Sequence, residues 1–151
     1  MLEDYEINEK TLAILPISET LSKVLEDESI YFVNKKTTDI VDHSCKYFGS
    51  SYLGRFEGTK HILGFNYKAP IIIEETSSMI FFPTASPRFN NCSWISLKQI
   101  KDYNRDEERS IITFRSGKKI AVDMSYSSLE NQILRATRLE SILKDRIYLK
   151  K

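Results

Sequence analysis

Ile112-Thr113-Phe114-Arg115-Ser116-Gly117-Lys118-Lys119-Ile120-Ala121-Val122-Asp123-Met124-Ser125-Tyr126-Ser127-Ser128-Leu129-Glu130 is the stretch whose reading decides the fold. Ile112 and Phe114 alternate with Thr113 and Arg115, and after Ser116-Gly117 the residues Ile120, Val122 and Met124 alternate with Lys119 and Asp123. A period of two on either side of a glycine turn predicts a β-hairpin with one apolar face. The period then changes. Ser127 with Glu130 three residues later has the capping-box pattern, and Leu129, Ile133, Ala136, Ile142 and Leu143 recur at helical spacing to about residue 146. Neither element can bury its apolar face alone, so the long terminal helix is expected to lie on the sheet.

Outward from this hairpin and helix the texture is β-rich. Ile71-Ile72-Ile73 follows Pro70, and the run from Met79 stops at Pro83. Residues 86–91 form a loop by composition, and 94–100 read as a strand or a strand with a bend that holds a largely buried Trp94. The head suggests short strands at 5–8, 11–15 and 30–33, while Leu21, Val24 and Leu25 fit either a helical turn or an edge strand. Between head and middle lies a helical insertion at about 38–62. Thr37 or Thr38 is a candidate cap, Ile40, Val41, Cys45 and Phe48 form an apolar stripe, and Gly49-Ser50 interrupts it. Gly54 and Gly58 weaken a helix, yet their spacing puts both on one face for close packing. The expected class is therefore α+β: a largely antiparallel sheet, a helical insertion and a long C-terminal helix, in one domain over 1–151. A pleckstrin-homology-like roll, serving protein or lipid binding, is the alternative.

Composition narrows the function. With 151 residues, 41% hydrophobic and 28% charged, the chain suits one globular domain and fits neither disordered nor low-complexity classes. No apolar run approaches a membrane span, and Met1-Leu2-Glu3-Asp4 is unlike a signal peptide, so no membrane role and a cytoplasmic location are expected. Two cysteines, Cys45 and Cys92, read as small buried thiols. The net charge of +1 hides an asymmetry. Residues 1–34 carry two cations against eight anions, whereas 88–151 carry 14 cations against eight anions. An acidic head on a basic body is compatible with a polyanion on one face and with ordinary solvated surface alike.

Few constellations carry covalent chemistry. A nucleophile elbow beginning at Gly49 needs glycine at 53 and finds Leu53. His43, Cys45, His61 and Cys92 lack metal-ligand spacing, so neither a metal nor a cofactor is implied, and two histidines without paired carboxylates give little basis for an enzyme. The 38–63 segment invites a helix-turn-helix reader, but its glycines and Phe56 favour packing over insertion into a groove. Gly49-Ser50-Ser51 suits backbone N–H donation to a phosphate if a helix starts there.

The longer words of the sequence are more specific. Ser44-Cys45-Lys46-Tyr47-Phe48-Gly49-Ser50-Ser51-Tyr52-Leu53-Gly54-Arg55, Phe82-Pro83-Thr84, Cys92-Ser93-Trp94-Ile95-Ser96, Ser125-Tyr126-Ser127-Ser128-Leu129-Glu130-Asn131-Gln132 and Asp145-Arg146-Ile147 together resemble the ComK family of bacterial competence transcription factors. The resemblance implies a cytoplasmic activator of DNA-uptake genes that binds paired AT-rich promoter boxes as an oligomer, through the minor groove, and assists RNA polymerase. Family members continue well past the position of Ile147 into a tail that serves a Clp-protease adaptor and oligomerisation. This sequence stops at Lys151, so weak self-association and resistance to the adaptor are expected. Candidate DNA contacts are Lys46, Ser50, Ser51, Arg55, Arg88, Lys118, Lys119, Arg135 and Arg138. Arg55, which ends the most distinctive word, is a phosphate or groove contact on one reading and a salt-bridging arginine on the other.

Overall fold

Short apolar stretches of the head become β1 (Thr11–Pro16), β2 (Ser22–Glu26) and β3 (Ile30–Val33), which settles the Leu21–Leu25 region as a strand in the computed structural model. Residues 1–149 are described; Lys150 and Lys151, counted above in the basic segment, lie outside them. Two helices follow, α1 (Thr37–Tyr47) and α2 (Tyr52–Leu63). Then come β4 (Ile71–Glu74), β5 (Met79–Pro83), β6 (Trp94–Ser96), β7 (Ile100–Asp106), β8 (Arg109–Phe114), β9 (Lys119–Val122) and α3 (Tyr126–Leu149). Six strands form one sheet in the order β3-β2-β1-β6-β5-β4 with every pairing antiparallel, and β7-β8-β9 form a second.

The large sheet is apolar on both faces because its strands alternate between two different covers. Ile14, Val24, Ile71, Ile73, Phe81 and Trp94 join Ile40, Val41 and Cys45 of α1, with Tyr52 and Phe56 of α2 against them. Leu12, Leu25, Ile72, Ile80, Phe82 and Ile95 join Ile112 and Phe114 of the small sheet and Leu129, Ala136 and Leu139 of α3. The result is the α+β class read from the sequence, with the terminal helix on the sheet and Trp94 fully buried. The sheet stays open, its edge strands β3 and β4 lying at opposite ends, which is not a pleckstrin-homology-like roll.

Several local expectations are corrected. Residues 5–8 are not a strand: Tyr5 Oη lies 2.6 Å from Thr11 Oγ1, and the Ile7 N–H donates to Ser44 Oγ at 3.0 Å, so side chains rather than a neighbouring strand hold this segment. Neither Thr37 nor Thr38 caps α1. Thr37 Oγ1 donates to the Cys92 carbonyl (2.7 Å) and Thr38 Oγ1 to that of Pro87 (3.3 Å), tying the helix to the strand region instead. The Ser127–Glu130 capping box is replaced by Ser125, whose Oγ accepts the Ser128 N–H at 3.2 Å, while Glu130 accepts from Tyr103 Oη. Strand β7 has an exposed, charged sequence with no period of two, and its bulge after Ile100 removes the alternation that would have marked it. The shared-face packing expected of Gly54 and Gly58 is absent at Gly58, which faces open space. At Gly54 a Cβ would meet Ser50 Oγ at 3.0 Å and Ser51 Oγ at 3.3 Å.

Burial above all pushes the thiols of Cys45 and Cys92 up to about 12. We expect neither to react with Ellman's reagent at pH 8 on the timescale of minutes, and both to react at once in denaturant. Prompt titration of one thiol in native buffer would show that the helical layer opens.

Candidate nucleic-acid interface

The α1–α2 junction carries four of the sequence-predicted contacts. Gly49, with φ of +89°, adopts the left-handed conformation that turns the chain out of α1, and the Ser50 N–H reaches back to the Cys45 carbonyl at 2.9 Å. Ser51 caps α2 by accepting the Gly54 N–H at 3.0 Å. Asp42 Oδ1 accepts the Tyr52 N–H at 2.9 Å, so a carboxylate of the protein itself stands where the sequence suggested a phosphate. Burial would raise the Asp42 carboxyl, but the Tyr52 N–H and Lys46 outweigh it and hold the group below its ordinary range. Lys46 Nζ sits 3.0 Å from Asp42 Oδ2. Arg55 Nη1 lies 2.7 Å from Glu75 Oε1 with only 15% of its side chain exposed, the salt-bridging geometry of its second reading. Its Nε and Thr59 Oγ1, one helical turn on, have no protein partner.

Lys118 and Lys119 lie at the β8–β9 turn, apart from that junction in the fold. Lys118 Nζ donates to the Glu26 carbonyl at 2.8 Å, while Lys119 is exposed at the start of β9.

A different set of cations shares one surface. The loop 66–69 leading into β4 carries Lys68, whose φ of +50° is rare for a side-chain-bearing residue. What holds it there is α3. Gln132, buried, donates through Nε2 to the Lys68 carbonyl (3.0 Å) and the Pro83 carbonyl (2.8 Å), and Arg135 Nη1 donates to the Tyr67 carbonyl at 3.2 Å. The Arg135 guanidinium also lies over the Phe65 ring, 4.2 Å from its centroid. On one side Tyr67 and Lys68 line a shallow hollow with Ser128, Asn131 and Arg135; on the other they line an open pocket of about 390 Å³ with Arg88 and Pro87. Arg138 is exposed three residues beyond Arg135. Of the predicted contacts, then, Arg88 and Arg135 flank the loop of Lys68, which sequence reading did not single out, and Arg138 follows Arg135 on α3. Among the described residues none of these four has a carboxylate within 4.0 Å. Only Pro70, marking a turn, signals anything at that loop.

The family model for the ComK protein matches residues 2–148. The chain is 38% identical over 150 residues to the competence transcription factor of Bacillus subtilis (strain 168), covering 97% of this chain and 78% of that protein. It belongs to the ComK family. No solved structure matches it. No helix among the described residues is long and apolar enough to cross a membrane.

The Arg55 geometry makes a stability prediction. Arg55→Ala should cost about 1–3 kcal/mol through the lost charged hydrogen bond and packed stem, measured by urea unfolding. Glu75→Gln, whose carboxylate is mostly exposed, should cost less than about 1 kcal/mol. An Arg55→Ala protein of unchanged stability that no longer binds duplex would move this residue to the DNA surface.

Proposed function

We propose that the protein is a non-enzymatic, cytoplasmic transcription activator of competence genes that binds AT-rich promoter boxes, with RNA polymerase as its further partner. Membership of the ComK family and the similarity to the competence transcription factor of Bacillus subtilis support the first part. The observation that carries the DNA surface is the unpaired row Arg88, Lys68, Arg135 and Arg138, two of whose members are oriented by α3 and its Gln132 anchor. Cations without a carboxylate partner have no ion pair to give up when they exchange water and counterions for phosphates. A narrow A-tract groove, with its enhanced negative potential, rewards a few well-placed arginines and does not require a strongly basic protein.

Four phosphate contacts correspond to a slope of log affinity on log salt of about −3 to −4. Arg88→Gln and Arg135→Gln should each weaken AT-rich duplex about tenfold by fluorescence anisotropy and reduce that slope by about one. Lys46→Gln and Lys119→Gln should stay within about twofold of the parent, since one is internally paired and the other lies off the row. A GC-rich duplex bound as tightly as the AT-rich one would remove the sequence-reading part. Loss confined to Lys118 and Lys119 variants would relocate the surface to the β8–β9 turn.

A further inference from the structure

The pocket beside the cationic row is larger than phosphate contact requires, and its chemistry is that of a small-ligand site. Its volume of about 390 Å³ lies in the range that holds drug-sized molecules. Tyr52, Phe56 and Pro87 supply its apolar walls, and Leu53, 65% exposed at the start of α2, stands at its side with no role in the core. Thr38, Asn66 and Ser86 add neutral polar groups, and the charged lining is of one sign. Lys68 and Arg88 both line the pocket, and neither has a carboxylate within 4.0 Å among the described residues.

We propose that this pocket binds a small anionic aromatic molecule, its flat body between the apolar walls and its carboxylate, sulfonate or phosphate on Lys68 and Arg88, and that occupancy antagonises DNA binding. An aromatic body fits walls built from Tyr52, Phe56 and Pro87, and two unpaired cations select an anion over a neutral or cationic analogue. The antagonism rests on the reading of the cationic row as the DNA surface, whereas occupancy does not. A bound anion would take two of the four cations from phosphate. The Lys68 turn is also the one whose carbonyls Gln132 and Arg135 hold, so any shift of Lys68 toward a ligand is felt at Arg135.

The test uses the full chain and 8-anilinonaphthalene-1-sulfonate as probe, followed by its fluorescence. We expect one bound probe per chain, with affinity at least tenfold lower for the uncharged N-phenyl-1-naphthylamine and for the K68Q/R88Q double variant. Leu53→Ser should weaken the probe at least fivefold. Ile30→Ser with Phe32→Ser, altering the exposed apolar residues of β3, should leave it unchanged. Saturating probe should weaken AT-rich duplex at least tenfold in the parent, and the same concentration should have less effect in Leu53→Ser. Equal binding by parent and K68Q/R88Q, or loss in the β3 variant instead, would overturn the site. Probe and duplex bound together without mutual weakening would overturn the antagonism. A parent that takes one probe but no duplex would support the site while overturning the DNA reading and the antagonism with it.

Discussion

Two residue pairs, Ala13 with Ile95 and Ile14 with Trp94, join β1 to β6 and so make one six-stranded sheet out of two three-stranded meanders. All four residues are fully buried. Each meander alone would expose apolar side chains on both faces, and a three-stranded ribbon has too little area to hold two covering layers. The paired residues are about eighty positions apart in the chain, so this contact repays a large loop-closure entropy and depends on what surrounds it. Trp94 supplies much of the surroundings. Its ring meets Tyr52 edge-on at 6.0 Å, and its Nε1 donates to Thr38 Oγ1 at 3.4 Å, so the seam also fixes α1 and α2.

The helical layer in turn separates two electrostatic ends. Between β3 and β4 lie five strand spacings, roughly 24 Å at about 4.8 Å each. The acidic head belongs to the β3 end, and three of its eight carboxylates are paired: Asp4 with Lys35, Glu6 with His43, and Glu9 with Lys98. The loop carrying Lys68 leads into β4 at the other end, and Lys68 has no such partner among the described residues. Net charge near zero is therefore a sum over two unlike ends. It says little about what either can bind.

The sequence disclosed elements whose burial follows a simple period. The β8–β9 hairpin, the Ile71–Ile73 run and the terminal helix were legible because one or both faces are apolar throughout. Strand β7 was hidden because it holds mostly charged residues and pairs through a bulge, and residues 5–8 misled because an apolar, aromatic stretch can be fixed by hydroxyls as well as by a ladder. The candidate surface was only half legible. Arg88 and Arg135 could be named as cations, but their shared surface depends on Gln132 reaching two carbonyls 64 and 49 residues away. No local pattern encodes that reach. The caps failed for a related reason, since Thr37 and Thr38 have the right chemistry for a helix start and spend it on long-range bonds.

Most words that carry the family resemblance prove to be joints of the fold. Cys92 accepts from Thr37, Trp94 sits at the seam, Ser51 caps α2, Pro83 accepts from Gln132, and Gln132 holds the Lys68 turn. Such residues admit few substitutes because each satisfies a particular buried or turning group at a particular distance. A cation facing solvent has no such constraint, since its position matters only to the partner it meets. The proposed cationic row of Lys68, Arg88, Arg135 and Arg138 thus lies outside the words that identify the family. The joints hold a residue at a left-handed turn that costs backbone strain, and the turn is kept because two α3 side chains bond its carbonyls. An anion that met Lys68 would act on a backbone already tied to α3 and β5, so Lys68 and Arg135 would respond together and not as separate side chains.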